Sequence, residues 1–178
     1  MSDRHYAFLR AIYTGNRRLT NEQLLAPFVE LGFADVAAYQ AAGNVTFRAA
    51  DGAPAESEVE AALADHYGFD VPTFVRTAAE LEAIVDAQPF PPDAVAASAG
   101  KVQVTLLRAE PSGDQLAALQ SLVPAEDQVR VVGREWYWLP VAGISTSAMP
   151  VGQIERLLGE MTMRTLGTLQ RMAARYAG

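Results

Sequence analysis

Short runs of alternating apolar and polar residues predict β-strands along most of the chain. The runs are YAFLRAI, DVAAYQ, NVTFR, VPTFVR, KVQVTLLR, QVRVV and EWYWL. Between them, apolar residues recur at the three- and four-residue spacing of amphipathic helices. The pattern therefore predicts a protein that mixes strands and helices.

Helix starts are marked by capping boxes, in which a Ser or Thr precedes an acid or amide by three residues. Thr20, Thr77 and Ser112 each begin such a box. A further helix is predicted over residues 56–67, where Val59, Leu63 and Tyr67 share one stripe. Two helices end in Gly-Phe, at Gly32 and Gly68, because glycine readily adopts the left-handed conformation that stops a helix.

Local sequence matches recur in the same order at an offset of roughly 90 residues, which predicts two like halves rather than a solenoid of short repeats. The pair Arg76-Thr77, for example, is matched by Arg164-Thr165, and Gly43 is matched by Gly133. Each half has the predicted order β-α-β-β-α-β-α, whose first six elements are ferredoxin-like. The predicted fold class is α+β, with two duplicated ferredoxin-like halves (βαββαβ plus a helix).

The predicted domains are residues 1–88 and 100–178, joined by a Pro- and Ala-rich linker over residues 88–100. Because the chain has only 178 residues, the two halves can also be counted as one domain with a shared core.

The net charge of −7 argues against a general nucleic-acid binder, because such binding depends on cations that neutralise phosphates. Lys101 is the only lysine among the 14 basic residues. The chain has no cysteine, and no apolar stretch reaches the roughly 20 residues of a membrane span. We therefore expect a cytoplasmic protein with no membrane partner.

Known catalytic motifs are absent from the sequence, including phosphate-binding glycine loops, the serine nucleophile elbow and the HExxH zinc motif. The only histidines, His5 and His66, have no carboxylate pair at ligand spacing. We expect no metal and no cofactor. Whether the protein is an enzyme is left open.

Arg10 interrupts an apolar run that is predicted to be a strand. A buried guanidinium needs a partner, because burying an unpaired charge is costly. Two interpretations are open, a structural salt bridge and a bidentate contact with an anionic ligand. Arg17 and Arg18 follow in the next loop and extend the positive charge.

The start of the last helix offers a second candidate for anion binding, since helix N-termini present free N–H groups. Arg164, Thr165 and Thr168 lie there, and an ordinary N-cap is the structural alternative. The Ser/Thr loop GISTSAMP, residues 143–150, either holds a phosphate or turns the chain. Trp136 and Trp138 share one face of a strand, which favours core or a subunit interface over base stacking.

The segments FLRAIYTGNRRLTNEQLLAPFVELGFADVAAYQAAGNVTF, YGFDVPTFVRT, KVQVTLL and TMRTLGT together resemble the bacterial domain-of-unknown-function family 1697. The resemblance covers nearly the whole chain and implies a duplicated ferredoxin-like α+β protein without an established activity. Residues that keep the family's identity are Arg10, Ile12, Gly15, Tyr39, Gly43, Asn44, Arg164 and Thr168. Residues that depart from it are Ala11, Tyr13, Ala42, Ala148, Thr165 and Leu166.

These departures remove polar groups from the segments that would form a site, so this member has either changed its ligand or lost it. Gly43-Asn44 suits a tight hairpin turn, and the resemblance adds a ligand contact for Asn44.

Our first hypothesis is a protein that binds a small anionic ligand in a cleft between the halves. Its predicted contacts are Arg10, Tyr39, Asn44, Arg164 and Thr168. The alternative is a non-catalytic scaffold or interaction module that self-associates, as a homodimer, through an exposed sheet or the EWYWL segment.

Overall fold

The computed structural model describes residues 3–13, 19–40, 42–50 and 52–176, and it confirms the α+β class. The strands are β1 (Asp3–Leu9), β2 (Ala34–Ala38), β3 (Asn44–Ala49), β4 (Thr73–Thr77), β5 (Gln103–Leu107), β6 (Gln128–Val132), β7 (Glu135–Leu139) and β8 (Met161–Thr165). The helices are α1 (Asn21–Glu30), α2 (Glu56–Tyr67), α3 (Ala78–Asp86), α4 (Pro92–Ala97), α5 (Gly113–Leu122), α6 (Val151–Leu158) and α7 (Leu166–Tyr176).

The strands form two antiparallel sheets with the same internal order. The first sheet is ordered β2-β3-β1-β4 and the second β6-β7-β5-β8. Both are the order of a βαββαβ ferredoxin-like unit, so the predicted pair of like halves is confirmed. The chain divides into two compact units, Met1–Glu82 and Ala83–Gly178, while the predicted domain limits at residues 88 and 100 stay a prediction.

The core of the first unit lies between one face of its sheet and helices α1 and α2. Buried helix residues pack there against Val45 and Phe47 of β3. The helix residues are Leu24 and Phe28 of α1 and Val59 and Leu63 of α2. These positions are the apolar stripes that the helical spacing predicts.

The core of the second unit contains both tryptophans. Trp136 and Trp138 are buried, and their stacked rings lie 6.4 Å apart between centroids. They pack in one cluster with Leu119 of α5 and Ile154 of α6. Every residue of the EWYWL segment is buried within the single chain, which favours core over subunit interface for the two tryptophans. Self-association stays a prediction.

The predicted helix caps are confirmed. Thr20 and Ser112 accept hydrogen bonds from the N–H groups of the glutamines three residues later, at 3.2 and 3.3 Å. Thr77 forms the same box with Glu80, described below. Gly32 and Gly68 have φ values of 81° and 75°, as expected of glycines that end helices.

One local prediction is wrong, and one helix was not predicted. Strand β1 ends at Leu9, so Arg10 follows the strand instead of interrupting it. The next residue, Ala11, has a φ of 55°, which turns the chain away from the sheet. The predicted linker also contains helix α4, which begins at Pro92, because proline is well suited to the first turn of a helix.

Gly15, Arg17 and Arg18 lie outside the described residues. Among the described residues, the helices are all too short or too polar to cross a membrane. The expected cytoplasmic location stays a prediction.

Candidate functional site

In the first unit, the candidate residues Tyr39 and Asn44 close a hairpin between β2 and β3. The Tyr39 N–H donates to the Asn44 carbonyl oxygen (2.9 Å), and the Asn44 side-chain Nδ2 donates back to the Tyr39 carbonyl oxygen (3.2 Å). Asn44 is fully buried. Its amide therefore stabilises the turn, which is one of the two roles that the sequence left open.

Gly43 is required at this turn. Its φ is 69°, and a Cβ atom would lie 2.9 Å from both the Leu9 carbonyl oxygen and the Ile12 Cγ2 atom. The Gly43 carbonyl oxygen also accepts the Leu9 N–H at 2.8 Å. The turn thus packs directly on the end of β1, beside Arg10.

Arg10 is half-buried at this same end of the first sheet, and its N–H donates to the Pro72 carbonyl oxygen (2.8 Å). Arg10, Tyr39 and Asn44 are therefore neighbours in the first unit. Arg164 and Thr168 belong to the second unit. That all five residues line one cleft stays a prediction.

In the second unit, Arg164 ends β8 next to Thr165, after which α7 begins. The Arg164 Nη1 atom donates to the Thr162 hydroxyl (2.9 Å) and to the Met163 carbonyl oxygen (2.8 Å). Burial lowers the pKa of Arg164 from 12.5 to about 10, so the guanidinium is still charged at neutral pH.

Thr165 and Thr168 form the cap of α7. The Thr168 N–H donates to the Thr165 hydroxyl oxygen (3.2 Å), and the two hydroxyls are 2.9 Å apart. The first turn of α7 contains no acidic residue. The cap is therefore uncharged, and no carboxylate within this turn balances the positive end of the helix dipole.

A pocket of about 610 Å³ opens beside this cap, within the second unit. Four segments line it, namely residues 88–92, α4, residues 100–102 and the start of α7. The pairing of β5 with β8 brings the last two segments together, because the Leu166 N–H donates to the Val102 carbonyl oxygen (2.9 Å). The pocket lies in the size range of small-molecule sites.

Two cations line the pocket, Lys101 and Arg171. The Arg171 Nη2 atom donates to the Thr168 hydroxyl (3.3 Å), so Thr168 orients this guanidinium. A Cβ on Gly167 would lie 3.3 Å from Arg171 Nη1, so glycine leaves room for the guanidinium beside the first turn. No acidic residue is among the described residues that line the pocket.

Lys101 is held by the chain before it. A Cβ on Gly100 would lie 2.2 Å from the Pro140 carbonyl oxygen, so only glycine fits there. The Ser98 hydroxyl also donates to that oxygen (2.9 Å). The loop over residues 140–143 therefore fixes the backbone that carries Lys101 into the pocket lining.

A scan against family models matches residues 2–137 to a family described as proteins of unknown function (DUF1697). This range is more than half of the chain. The chain belongs to the DUF1697 family. The resemblance that the sequence motifs indicated is thereby confirmed. No curated protein matches the chain.

Among solved structures, the conserved bacterial protein SP0830 from Streptococcus pneumoniae is similar to this DUF1697 protein, with a TM-score of 0.67. The likeness covers 98% of each chain at 16% sequence identity. At this identity the likeness shows the shared fold and does not assign an activity.

The DUF1697 match includes Arg10, Tyr39, Asn44 and Lys101, whereas α7 lies beyond residue 137. Sequence reasoning identified the α7 cap but missed Lys101 and Arg171 as pocket residues. A signal was present for each of them. Lys101 is the only lysine of an arginine-rich chain, and Arg171 lies one helical turn after a glycine.

The Ser/Thr loop of this DUF1697 protein uses its hydroxyls internally. The Ser147 hydroxyl donates to the Asp127 carboxylate and accepts the Met149 N–H (3.0 Å). Thr146 donates to the Ala142 carbonyl oxygen (2.6 Å). The sequence left two roles open for this loop, holding a phosphate and turning the chain, and these bonds support the second role.

The two histidines also have local partners. His5 is buried, with Nδ1 2.9 Å from the Asp3 carbonyl oxygen and its ring stacked on Phe47. His66 Nδ1 lies 3.2 Å from a Glu30 carboxylate oxygen. Within the described ranges, histidines and carboxylates form no group of three or more that could hold a metal ion.

Proposed function

We propose that the protein binds a small anionic ligand in the pocket of its second unit. One observation carries the proposal: two cations line this pocket, and neither has a carboxylate partner. Among the described residues, the side chains of Lys101 and Arg171 make no ion pair. A ligand carboxylate or phosphate would supply the missing negative charge.

The contrast with other arginines supports this interpretation. Arg48 lies 3.1 Å from an Asp35 carboxylate oxygen, and Arg108 lies 3.0 Å from one of Glu160. Acidic residues are abundant in a chain of net charge −7. Lys101 and Arg171 have no such partner among the described residues, and they both line a pocket in which a ligand has room.

The α7 cap strengthens the proposed site. The first N–H groups of a helix have no acceptor within the helix, and they favour negative charge near them. In the proposal, Thr165 and Gly167 line the binding space and Thr168 orients Arg171, while Arg164 lies just before the same helix end.

The proposal has a second part in the first unit. Arg10 is its charged member, and Tyr39 and Asn44 hold the hairpin that packs beside it. We predict that Arg10→Ala reduces any stabilisation by a ligand that binds at this end of the first unit. Truncating the half-buried side chain should cost about 1 kcal/mol and lower the unliganded melting temperature by about 2–4 °C. A large loss of melting temperature would instead make Arg10 structural.

The test is thermal unfolding of the full chain against a panel of inorganic phosphate, carboxylates and nucleotides. A ligand at 100 times its dissociation constant adds about 2.7 kcal/mol to the free energy of unfolding. Lys101→Met and Arg171→Gln should each reduce this gain, and Arg175→Gln is the control, because Arg175 is exposed on the same helix outside the pocket lining.

A gain that survives the Lys101→Met/Arg171→Gln double substitution would contradict the proposed site. No gain with any anion, together with a stable dimer in light scattering, would favour the self-association hypothesis. The surface of such a dimer would have to differ from the EWYWL segment, which is buried.

A further inference from the structure

One wall of the pocket is apolar. Pro89, Phe90, Pro92, Val95 and Ala96 contribute it, from α4 and the residues just before it. Val95 is 38% exposed, so part of its branched apolar side chain is open to a ligand at this wall. An occupant with only a charged head group would leave this wall in water.

The polar groups of the pocket do not suit a sugar. The remaining polar lining residues are Gln88, Gln170 and Thr165, and no carboxylate is present among the described lining residues. Sites that bind ribose commonly accept its hydroxyls with an acidic residue. A ligand with many hydroxyl groups would therefore find few strong acceptors here.

The lining does not suit a stacked base either. Phe90 is the one aromatic residue among the described lining residues, and it is only 5% exposed. Base stacking needs an accessible ring face. The accessible part of the apolar wall is thus aliphatic surface, from the two prolines, Val95 and Ala96.

We propose that the ligand is an amphiphilic anion, with one carboxylate or phosphate head group on an aliphatic chain. This inference rests on the proposed anion site. The head group lies between Lys101 and Arg171 at the α7 cap, and the chain covers Val95 and the prolines. A volume of about 610 Å³ lies in the range that holds both parts of such a ligand.

The experiment measures binding of inorganic phosphate and of butyl, hexyl and octyl phosphate by calorimetry, below the concentrations at which they form micelles. Affinity should rise by about fourfold for each methylene group that the pocket buries. Octanoate should bind as part of the same series, and octylamine and octanol should bind at least tenfold more weakly than octyl phosphate, since they lack the negative charge.

Val95→Ser tests the apolar wall directly. Because Val95 is exposed, we expect this variant to fold, which circular dichroism checks. It should weaken octyl phosphate binding several-fold and leave phosphate binding unchanged. Val132→Ser is the matched control, since Val132 is an exposed valine on β6, outside the pocket lining.

The outcomes separate the two proposals. If phosphate binds and chain length adds nothing, the amphiphilic ligand is wrong and the anion site stands. If octanol or octylamine binds as tightly as octyl phosphate, or if no member of the series binds, the anion site fails as well.

Discussion

The chain contains the same strand-to-helix junction twice, and the two copies carry different charges. Thr77 ends β4 before α3, and Thr165 ends β8 before α7. In the first copy, the Thr77 N–H donates to the Glu80 carboxylate (2.8 Å), and the Glu80 N–H donates to the Thr77 hydroxyl (3.1 Å). In the second copy, Thr168 takes the place of Glu80, so a hydroxyl replaces the carboxylate.

Strand register extends the comparison to the pocket cations. His5 pairs with Thr77 as Gln103 pairs with Thr165, so Asp3 in the first copy corresponds to Lys101 in the second. Arg171 lies six residues after Thr165, and Ala83 lies six residues after Thr77. All three differences make the second junction more positive.

The two junctions also carry matching arginines, one residue before each threonine. Arg76 is fully buried, and its Nη1 atom lies 3.5 Å from the Glu56 carboxylate. At the matching position, Arg164 donates to the Thr162 hydroxyl. In the first copy a carboxylate lies beside the buried arginine, and in the second copy a hydroxyl accepts a hydrogen bond from the matching arginine.

The largest effect should come from removing the internal anion of the first junction. We expect Glu56→Ala to lower the free energy of unfolding by about 3 kcal/mol, because it leaves the Arg76 guanidinium buried without this carboxylate. In the second junction, Thr162→Val removes one neutral hydrogen bond of Arg164 and should cost only about 1 kcal/mol.

Urea unfolding of the two variants checks the difference. The double variant Glu56→Ala/Arg76→Met should recover part of the loss, because it removes the buried charge together with its partner. Equal losses in Glu56→Ala and Thr162→Val would show that the carboxylate beside Arg76 contributes no more than the hydroxyl beside Arg164.

A second comparison concerns the hairpin glycines, Gly43 and Gly133, whose φ values are 69° and 58°. Both alanine variants should lose about 1 kcal/mol from the left-handed conformation. Gly43→Ala should lose about 1–2 kcal/mol more, because its Cβ would meet the Leu9 carbonyl oxygen at 2.9 Å, whereas the nearest atom at Gly133 is 3.7 Å away. Thermal unfolding measures both, and a Gly133→Ala loss as large as that of Gly43→Ala would show that the close packing of the first hairpin adds nothing.

Much of this fold could be predicted from local sequence, because local interactions specify it. The boxes at Thr20, Thr77 and Ser112 fix where helices begin, and each needs only residues three apart. The repeat of Arg-Thr at positions 76 and 164 also identified the two junctions before their charges could be compared. Arg10 was misplaced because an apolar run does not show at which residue the pairing with a neighbouring strand stops.

The pocket could not be predicted in the same way. Lys101 and Arg171 are far apart in sequence, and only the pairing of β5 with β8 brings their segments together. The pattern of apolar residues predicts that strands form but gives no pairing order on its own. Helix α4 was missed for a related reason, since six residues rich in proline and alanine carry no clear apolar stripe.

A substitution at Thr168 should close the second junction in the manner of the first. We expect Thr168→Glu to form a capping box with Thr165 and to weaken phosphate binding at least tenfold, about 1.4 kcal/mol, because its carboxylate occupies the positive helix end and pairs with Arg171. Calorimetry measures the binding. Thr168→Gln is the neutral control, because glutamine has the shape of glutamate without its charge, and it should bind phosphate more tightly than Thr168→Glu does. Unchanged binding in Thr168→Glu would place any anion away from α7.

The reciprocal change, Glu80→Thr, should have the smallest effect. It tests whether a helix N-terminus binds phosphate without the two pocket cations. Losing the carboxylate that accepts the Thr77 N–H should cost about 1 kcal/mol of folding stability. We expect no new phosphate binding at α3, because Asp3 and Ala83 stand where the pocket has Lys101 and Arg171. Phosphate binding by Glu80→Thr in a Lys101→Met/Arg171→Gln background would contradict this expectation. It would show that an uncharged helix N-terminus binds phosphate by itself and that the two cations are not needed for binding.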